Sequence, residues 1–479
     1  MKKLVQDIIT NLSVPSITFA DVRFTTTDDE SIYFEKGNLR YKDASLDSKS
    51  LGIRVLINGC WGFAGTTDLS KKSIDYTMLK AISNAKHGSL FKREKVDFKA
   101  IDPTIASYMH TPKENPFIMD SEEKIAYFAN IATKLTKNEK IVYSNVSASF
   151  YRQYKIYANT EGTFTDSLVY DVLPSMMVMA SDGRQNYSRK WPGDMNARRG
   201  GFEKVRAFEF EKNTDRIIKE AIDLLSAPSI EEERADLIIG ASHLALQLHE
   251  SVGHATEADR IFGMEISYAG KTFVKPTMLG NFQYGSELVN IFSDSTLENG
   301  LGFHIVDDEG VPARRADIVK NGILQDQQTS REIAQMLGLE PSSNMLATHA
   351  DEIPLVRMSN FCLGAGKGSL DELIKNTENG YFVDFTKTWS IDDNRYNFQF
   401  TTEIGWKIKD GEIVGIVKEP TYFGITPEFW NSCDAICGEE EWDLHGTFHC
   451  GKGEPGQVKH LSHGVAPARF RNVVVNVKA

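Results

Sequence analysis

His249 and His254 stand on either side of Glu250 in the run Leu246-Gln247-Leu248-His249-Glu250-Ser251-Val252-Gly253-His254-Ala255. The apolar spacing of that run predicts a helix. Two imidazoles and a carboxylate so close together are the parts of a metal hydrolase, in which the rings hold an ion and the acid serves as base. The spacing is unusual for that task. Histidines four apart lie about 40° apart around a regular helix, whereas five apart leaves about 140°. Aiming both rings at one ion requires the turn to widen by a residue, and Gly253, beside the second ring, makes a π-bulge inexpensive there. The plainer reading of the same residues is two hydrogen-bonded histidines and a solvated helix carboxylate.

A catalytic zinc takes three protein ligands and keeps a fourth position open, so one ligand must come from elsewhere. The Gly-bearing run Asp443-Leu444-His445-Gly446-Thr447-Phe448-His449-Cys450-Gly451-Lys452-Gly453 offers Cys450, His445 and His449, with His460 and His463 just beyond it. Residue types alone do not choose among them. Other polar runs have structural explanations. Leu363-Gly364-Ala365-Gly366-Lys367-Gly368-Ser369 lacks the spacing of a phosphate loop, and Ser369-Leu370-Asp371-Glu372 predicts a capping box. Asp307-Asp308-Glu309 followed by Gly310 predicts a turn at a strand end. Cys433 and Cys437, four apart, predict two small residues on one helical face, and Arg198-Arg199 near Lys190 reads as a solvated loop.

The elements that must position these residues come in blocks. Short β-favouring runs from Ala20 to Ser70, broken at Asp28-Asp29, Lys36-Gly37-Asn38 and Asn58-Gly59, predict an antiparallel meander. Helical periodicity follows over 72–85 and 121–136, strands over 141–157 and 168–180, and a helix over 210–225. The polar stretch around Ser226-Ala227-Pro228-Ser229 is a connector. A short strand, Asp236 to Gly240, then leads into the His249 helix, and the remainder is strand-rich. The expected fold class is α+β with two domains: an N-terminal α+β domain over 1–215, and a strand-rich C-terminal domain over 216–479 that carries the metal-site helix.

The whole chain sets outer limits. Its 479 residues, 41% hydrophobic, can bury a large core. Acids outnumber bases, 66 to 54, for a net charge of −12, which disfavours direct nucleic-acid binding. No apolar run approaches the length of a membrane span, and Asp7 and Asn11 interrupt any leader-like start. Five scattered cysteines do not make a disulfide framework, so a cytoplasmic location is the expectation.

Taken together, several stretches resemble the TldD/PmbA family, also called modulators of DNA gyrase, and within it the TldD-type metalloproteases. They are Gly52 to Ser70 with Trp61-Gly62-Phe63-Ala64, the His249 to His254 helix with Glu257-Ala258-Asp259, Asp307 to Ala313, Arg357-Met358-Ser359-Asn360, Thr426-Pro427-Glu428-Phe429, and Cys450-Gly451-Lys452. The resemblance covers most of the chain. It implies that His249, His254 and Cys450 hold Zn2+, and that Glu250 is the base activating a water on the ion. It also implies a peptidase of the HExxxH type acting on short or unfolded peptides. A dimer enclosing a chamber is implied too, either a homodimer or a heterodimer with a PmbA-type paralogue. The extra Glu454-Pro455 after Lys452, and the nearby His445 and His449, are departures that bear on the third ligand. The alternative from another class is a non-catalytic, chaperone-like peptide-binding subunit of such a complex; an intact Glu250 weighs against it, because a structural metal needs no base. A direct DNA or gyrase regulator is disfavoured by the charge.

Overall fold

The computed structural model describes residues 1–91, 94–267 and 270–476. Its first half is built on one long sheet, ordered Cys60–Thr66, Asn38–Ile57, Phe19–Glu35, Ile141–Asn159, Phe164–Ser181 and Ile105–Met109. The meander expected from Ala20 to Ser70 forms the first three strands, with Lys36-Gly37 and Asn58-Gly59 at positive φ in the two tight turns. Because side chains alternate along a strand, Ala20, Val22 and Phe24 face one way and Asp21, Arg23 and Thr25 the other. The apolar face is covered by four helices, Lys2–Leu12, Lys71–Gly88, Ser121–Leu135 and Phe210–Leu224. The third is capped by Asp120, which accepts from Glu122 N at 2.7 Å.

The polar face meets the second half of the chain. Arg54 donates from Nε to Asp21 at 2.8 Å and from Nη2 to the Asp308 carbonyl at 2.8 Å, while Arg331 binds Glu161 and reaches the Glu309 carbonyl. Arg54, Asp21, Asp308, Glu309 and Arg331 are almost fully buried, so removing a partner of one of them would strand a charge, at a cost of about 3–5 kcal/mol. The turn expected at Asp307 is present: its Oδ1 accepts from Glu309 N at 2.9 Å and Val311 N at 3.0 Å.

The second half centres on a closed barrel. Strands Asn379–Ile391, Glu233–Ile239, Ala468–Val475, Thr421–Ile425 and Asn397–Lys409 pair in that order, and the last also pairs with the first. Leu237, Ile239, Tyr381, Val383, Phe398, Phe400, Tyr422 and Phe470 fill it. Helix Ala241–Leu248 leaves the strand Glu233–Ile239 through Gly240 and packs Leu244 and Leu248 on the same core. A Cβ on Gly240 would fall 2.4 Å from the Asp384 carboxylate, whose Oδ1 accepts from His243 N at 3.0 Å and so caps the helix from a neighbouring strand. The capping box at Ser369 forms as the sequence predicts.

Three expectations change. Asp28-Asp29 does not break the meander, because the strand Phe19–Glu35 runs through it with only a register shift between Thr27 and Asp29. Cys433 lies in the strand Cys433–Ile436 and Cys437 follows it, so they share no helical face. Arg199 is not solvated: it sits in the strand Arg198–Arg199, buried, with Nε on Asp171 Oδ1 at 2.6 Å. Sheet pairing drew it inward, and the partner carboxylate offsets the desolvation. The architecture is α+β, and no helix among the described residues is long and apolar enough to cross a membrane.

Candidate metal centre

The helix carrying the two histidines stops being an α-helix where the spacing requires it. Ala241–Leu248 is regular, His249–Gly253 is a π turn, and His254–Thr256 closes in 3-10 geometry. The backbone N–H of His254 donates to the carbonyl of His249, five residues back, so the wide turn is closed by the two residues it must bring together. Their rings lie 4.6 Å apart, centre to centre. Carbonyls in this distorted stretch are taken by side chains: Tyr284 donates to Ser251 O at 2.6 Å, Gln328 to Gly253 O at 2.7 Å and Thr272 to Ala255 O at 2.6 Å.

Cys450 arrives from the hairpin Asp443–Lys452 and Gln457–Val465. One extra residue between Thr447 and Cys450 bulges the first strand, leaving His449 exposed and setting Cys450 opposite Lys459. His249, His254 and Cys450 are buried, and one donor atom from each lies within 4.8 Å of the others. Cys450 Sγ is 3.8 Å from His254 Nε2. Neither His445 nor His449 joins this group; His445 pairs across the hairpin with His463.

Hydrogen bonds orient each ring. His463 donates from Nδ1 to Phe361 O at 2.9 Å, so its Nε2 accepts the Nδ1 proton of His249 at 2.8 Å and leaves His249 Nε2 with its lone pair. His254 donates from Nδ1 to Glu257 Oε2 at 2.9 Å, which likewise frees Nε2. Glu257 also accepts from Arg260 Nε at 2.9 Å and meets Lys452 Nζ at 3.2 Å; Lys452 in turn contacts Asp259 at 2.8 Å. Burial opposes the Glu257 charge, but Lys452, His254 and Arg260 outweigh it and hold the carboxyl well below its ordinary range.

Burial lowers the pKa of both rings, so they are neutral and able to act as ligands at pH 7. Burial pushes the Cys450 thiol up, yet the Arg357 guanidinium and His254 bring it below its ordinary value. Two free imidazole nitrogens and an acidified thiol, all within 4.8 Å of one another, are a donor set that fits a soft divalent ion.

Glu250 lies beside this cluster. Its Oε1 accepts from Trp389 Nε1 at 3.2 Å and its Oε2 from Arg395 Nη1 at 3.0 Å. Trp389 is 51% exposed and marks the open side of the site. His463, Glu257, Trp389 and Arg395 escaped assignment from sequence. Glu257 alone left a signal, three residues after His254 and hence on the same side of the chain.

Comparison with known proteins gives this geometry its family. The model described as the PmbA/TldA metallopeptidase C-terminal domain matches residues 232–475, domain 1 matches 20–85, and the central domain matches 114–227. A metalloprotease of Methanothermobacter thermautotrophicus is 31% identical over 96% of this chain and 95% of its own. This chain belongs to the PmbA/TldA metallopeptidase family. Other relatives include a zinc metalloprotease TldD homolog of Saccharolobus solfataricus, 23% identical over 93% of this chain and 94% of its own. A proposed modulator of a DNA gyrase from Thermotoga maritima shares the fold with a TM-score of 0.78 at 19% identity, covering 99% of this chain and 100% of its own. TldE from Thermococcus kodakarensis does so at 0.70 and 15%, covering 100% of both.

Proposed function

We propose that this metallopeptidase-family protein is a zinc-dependent peptidase of the HExxxH type that hydrolyses peptide bonds in short or unfolded peptides. The observation that carries the reading is the convergence of His249, His254 and Cys450, with both ring Nδ1 atoms already engaged, beside a carboxylate held on the open side of the site. Zinc in particular is supported by the name of the Saccharolobus solfataricus relative and by the N/S donor set. His249 and His254 would hold the ion through Nε2 and Cys450 through Sγ. A bound zinc would supply Lewis acidity, polarising a carbonyl and making water a nucleophile near neutral pH.

The protein's own groups do the rest. Glu250 takes the proton from the attacking water on a carboxylate oxygen and returns it to the leaving amine. Trp389 and Arg395 fix where that carboxylate points, and rotation away from either frees an oxygen to accept. The half-exposed Trp389 leaves an approach for an extended chain, while the buried rings exclude bulky folded substrates. On this reading the protein works in the cytoplasm as a homodimer or as a heterodimer with a PmbA-type paralogue, and its substrate is a peptide or unfolded protein.

The deciding experiment is metal content by elemental analysis of the wild type, His254→Ala and Cys450→Ala, each also assayed on an unfolded peptide. Near-stoichiometric zinc and cleavage in the wild type, both lost in the two variants, are expected. Full metal retention in Cys450→Ala would remove the thiolate from the ligand set.

A further inference from the structure

Directly across the hairpin from Cys450 stands Lys459. Its amine makes no hydrogen bond or ion pair with any described residue. It lines a small cavity of about 60 Å³ in the seam between the first sheet and the hairpin, together with Lys155, Asp171, Arg199, His304 and His460. The other charges there are matched. Lys155 is bound to Asp308 Oδ1, and Arg199 Nε to Asp171 Oδ1 at 2.6 Å. His460 Nδ1 lies 3.2 Å from Asp171 Oδ2, and His304 uses both ring nitrogens, on Gly302 O at 3.1 Å and Ser343 Oγ at 2.9 Å. Among the described residues lining the cavity, Lys459 is therefore the cation whose amine has no direct partner, although the Asp308 and Asp171 carboxylates act on it from further off. A second donor is idle beside it: Arg199, buried, has Nη1 without a partner among the described residues.

An unpaired cation and an orphaned guanidinium nitrogen in one enclosed wall are costly unless a ligand meets them. The volume is that of roughly two waters, which admits a carboxylate group but not a ring or a whole residue. The cavity is tied to the metal cluster through the hairpin, where Lys459 of its lining is in register with Cys450.

We infer that this cavity is a subsite for a carboxylate of the peptide substrate, gripped by Lys459 and Arg199 beside the His249–His254–Cys450 cluster. The inference rests on the peptidase reading and narrows its substrate class to peptides bearing an acidic side chain or a free C-terminal carboxylate near the scissile bond. Lys459 supplies a charge-assisted hydrogen bond and Arg199 a second, both in place before the peptide arrives. Burial, with the Lys155 charge next in weight, draws the Lys459 amine down to about 8, and a bound carboxylate would raise it again.

The test uses an unstructured peptide with one Glu, its Gln counterpart, and the C-terminally amidated form of each. Both kcat/KM and calorimetric Kd are measured on the wild type, Lys459→Met and Lys459→Arg. Expected is about a tenfold or greater preference of the wild type for one carboxylate, reduced to near one in Lys459→Met and partly kept in Lys459→Arg. Whether the Glu/Gln pair or the free/amidated pair shows the preference identifies the source. Equal values for all four peptides on the wild type, or a preference undiminished in Lys459→Met, would overturn the subsite. Should no peptide be cleaved, the peptidase reading falls by itself and the Kd ratios decide: a preference abolished by Lys459→Met upholds the subsite, and no preference removes it.

Discussion

Nδ1 of His249 lies 2.8 Å from Nε2 of His463, whose own Nδ1 donates to the Phe361 carbonyl at 2.9 Å. The backbone carbonyl can only accept, so the direction of both protons follows, and His249 is left with Nε2 free toward Cys450 and His254. His463 thus acts as a positioning residue, setting the tautomer of a candidate ligand it does not replace. Replacing it with Leu removes the acceptor, whereas Gln keeps one. Metal affinity, measured by competition with a chromophoric chelator, should fall about 10- to 100-fold in His463→Leu and less in His463→Gln. Equal losses in both would show that His463 merely fills space.

Glu250 is held by Trp389 and Arg395 and contributes no atom to the three-donor cluster. Glu250→Gln keeps the shape and removes the base. Peptide hydrolysis should drop by about 10²- to 10⁴-fold with metal content unchanged, as read by single-turnover assays beside elemental analysis. Loss of metal in this variant would instead make Glu250 a ligand.

Gly253 ends the π turn where space is scarce. A Cβ there would fall 2.2 Å from Met358 Sδ, itself buried. Gly253→Ala should therefore cost about 1–3 kcal/mol in urea denaturation and weaken metal binding through displacement of His254, although no donor atom is altered. The double variant with Met358→Ala should recover part of both.

His243 gives the metal-free protein a pH-dependent stability. Its Nδ1 lies 2.7 Å from Thr386 Oγ1 and its Nε2 3.0 Å from Tyr422 Oη, and burial pulls its pKa down to about 3. Between that value and about 6.5 the unfolded chain binds a proton that the folded chain does not. The contribution is complete above about pH 6.5 and declines as pH falls toward 3, by roughly 1.4 kcal/mol per unit. Urea midpoints from pH 7 to pH 5 should fall less steeply in His243→Gln than in the wild type; parallel slopes would refute the assignment.

Much of the fold was legible in the residues. Alternation of Ala20, Asp21, Val22, Arg23 and Phe24 marks a strand with one apolar and one polar face, and Lys36-Gly37 and Asn58-Gly59 mark the two tight turns of the meander, because these signals are local. The five-residue spacing of His249 and His254 likewise required a widened turn, since helix geometry allows no other way to bring two such rings together. The inward turn of Arg199 was hidden, because its partner Asp171 lies on another strand and only sheet pairing brings them together.

The sequence by itself determined which side chains could bind an ion and that their helix had to be irregular if both rings were to meet one ion, since both follow from chemistry and from distances along the chain. Only the tertiary structure chose Cys450 over His445 and His449, and assigned His463 to the His249 ring. A one-residue bulge and contacts between residues 214 apart in one case and 196 in another set those choices, and no local pattern encodes where distant strands will meet.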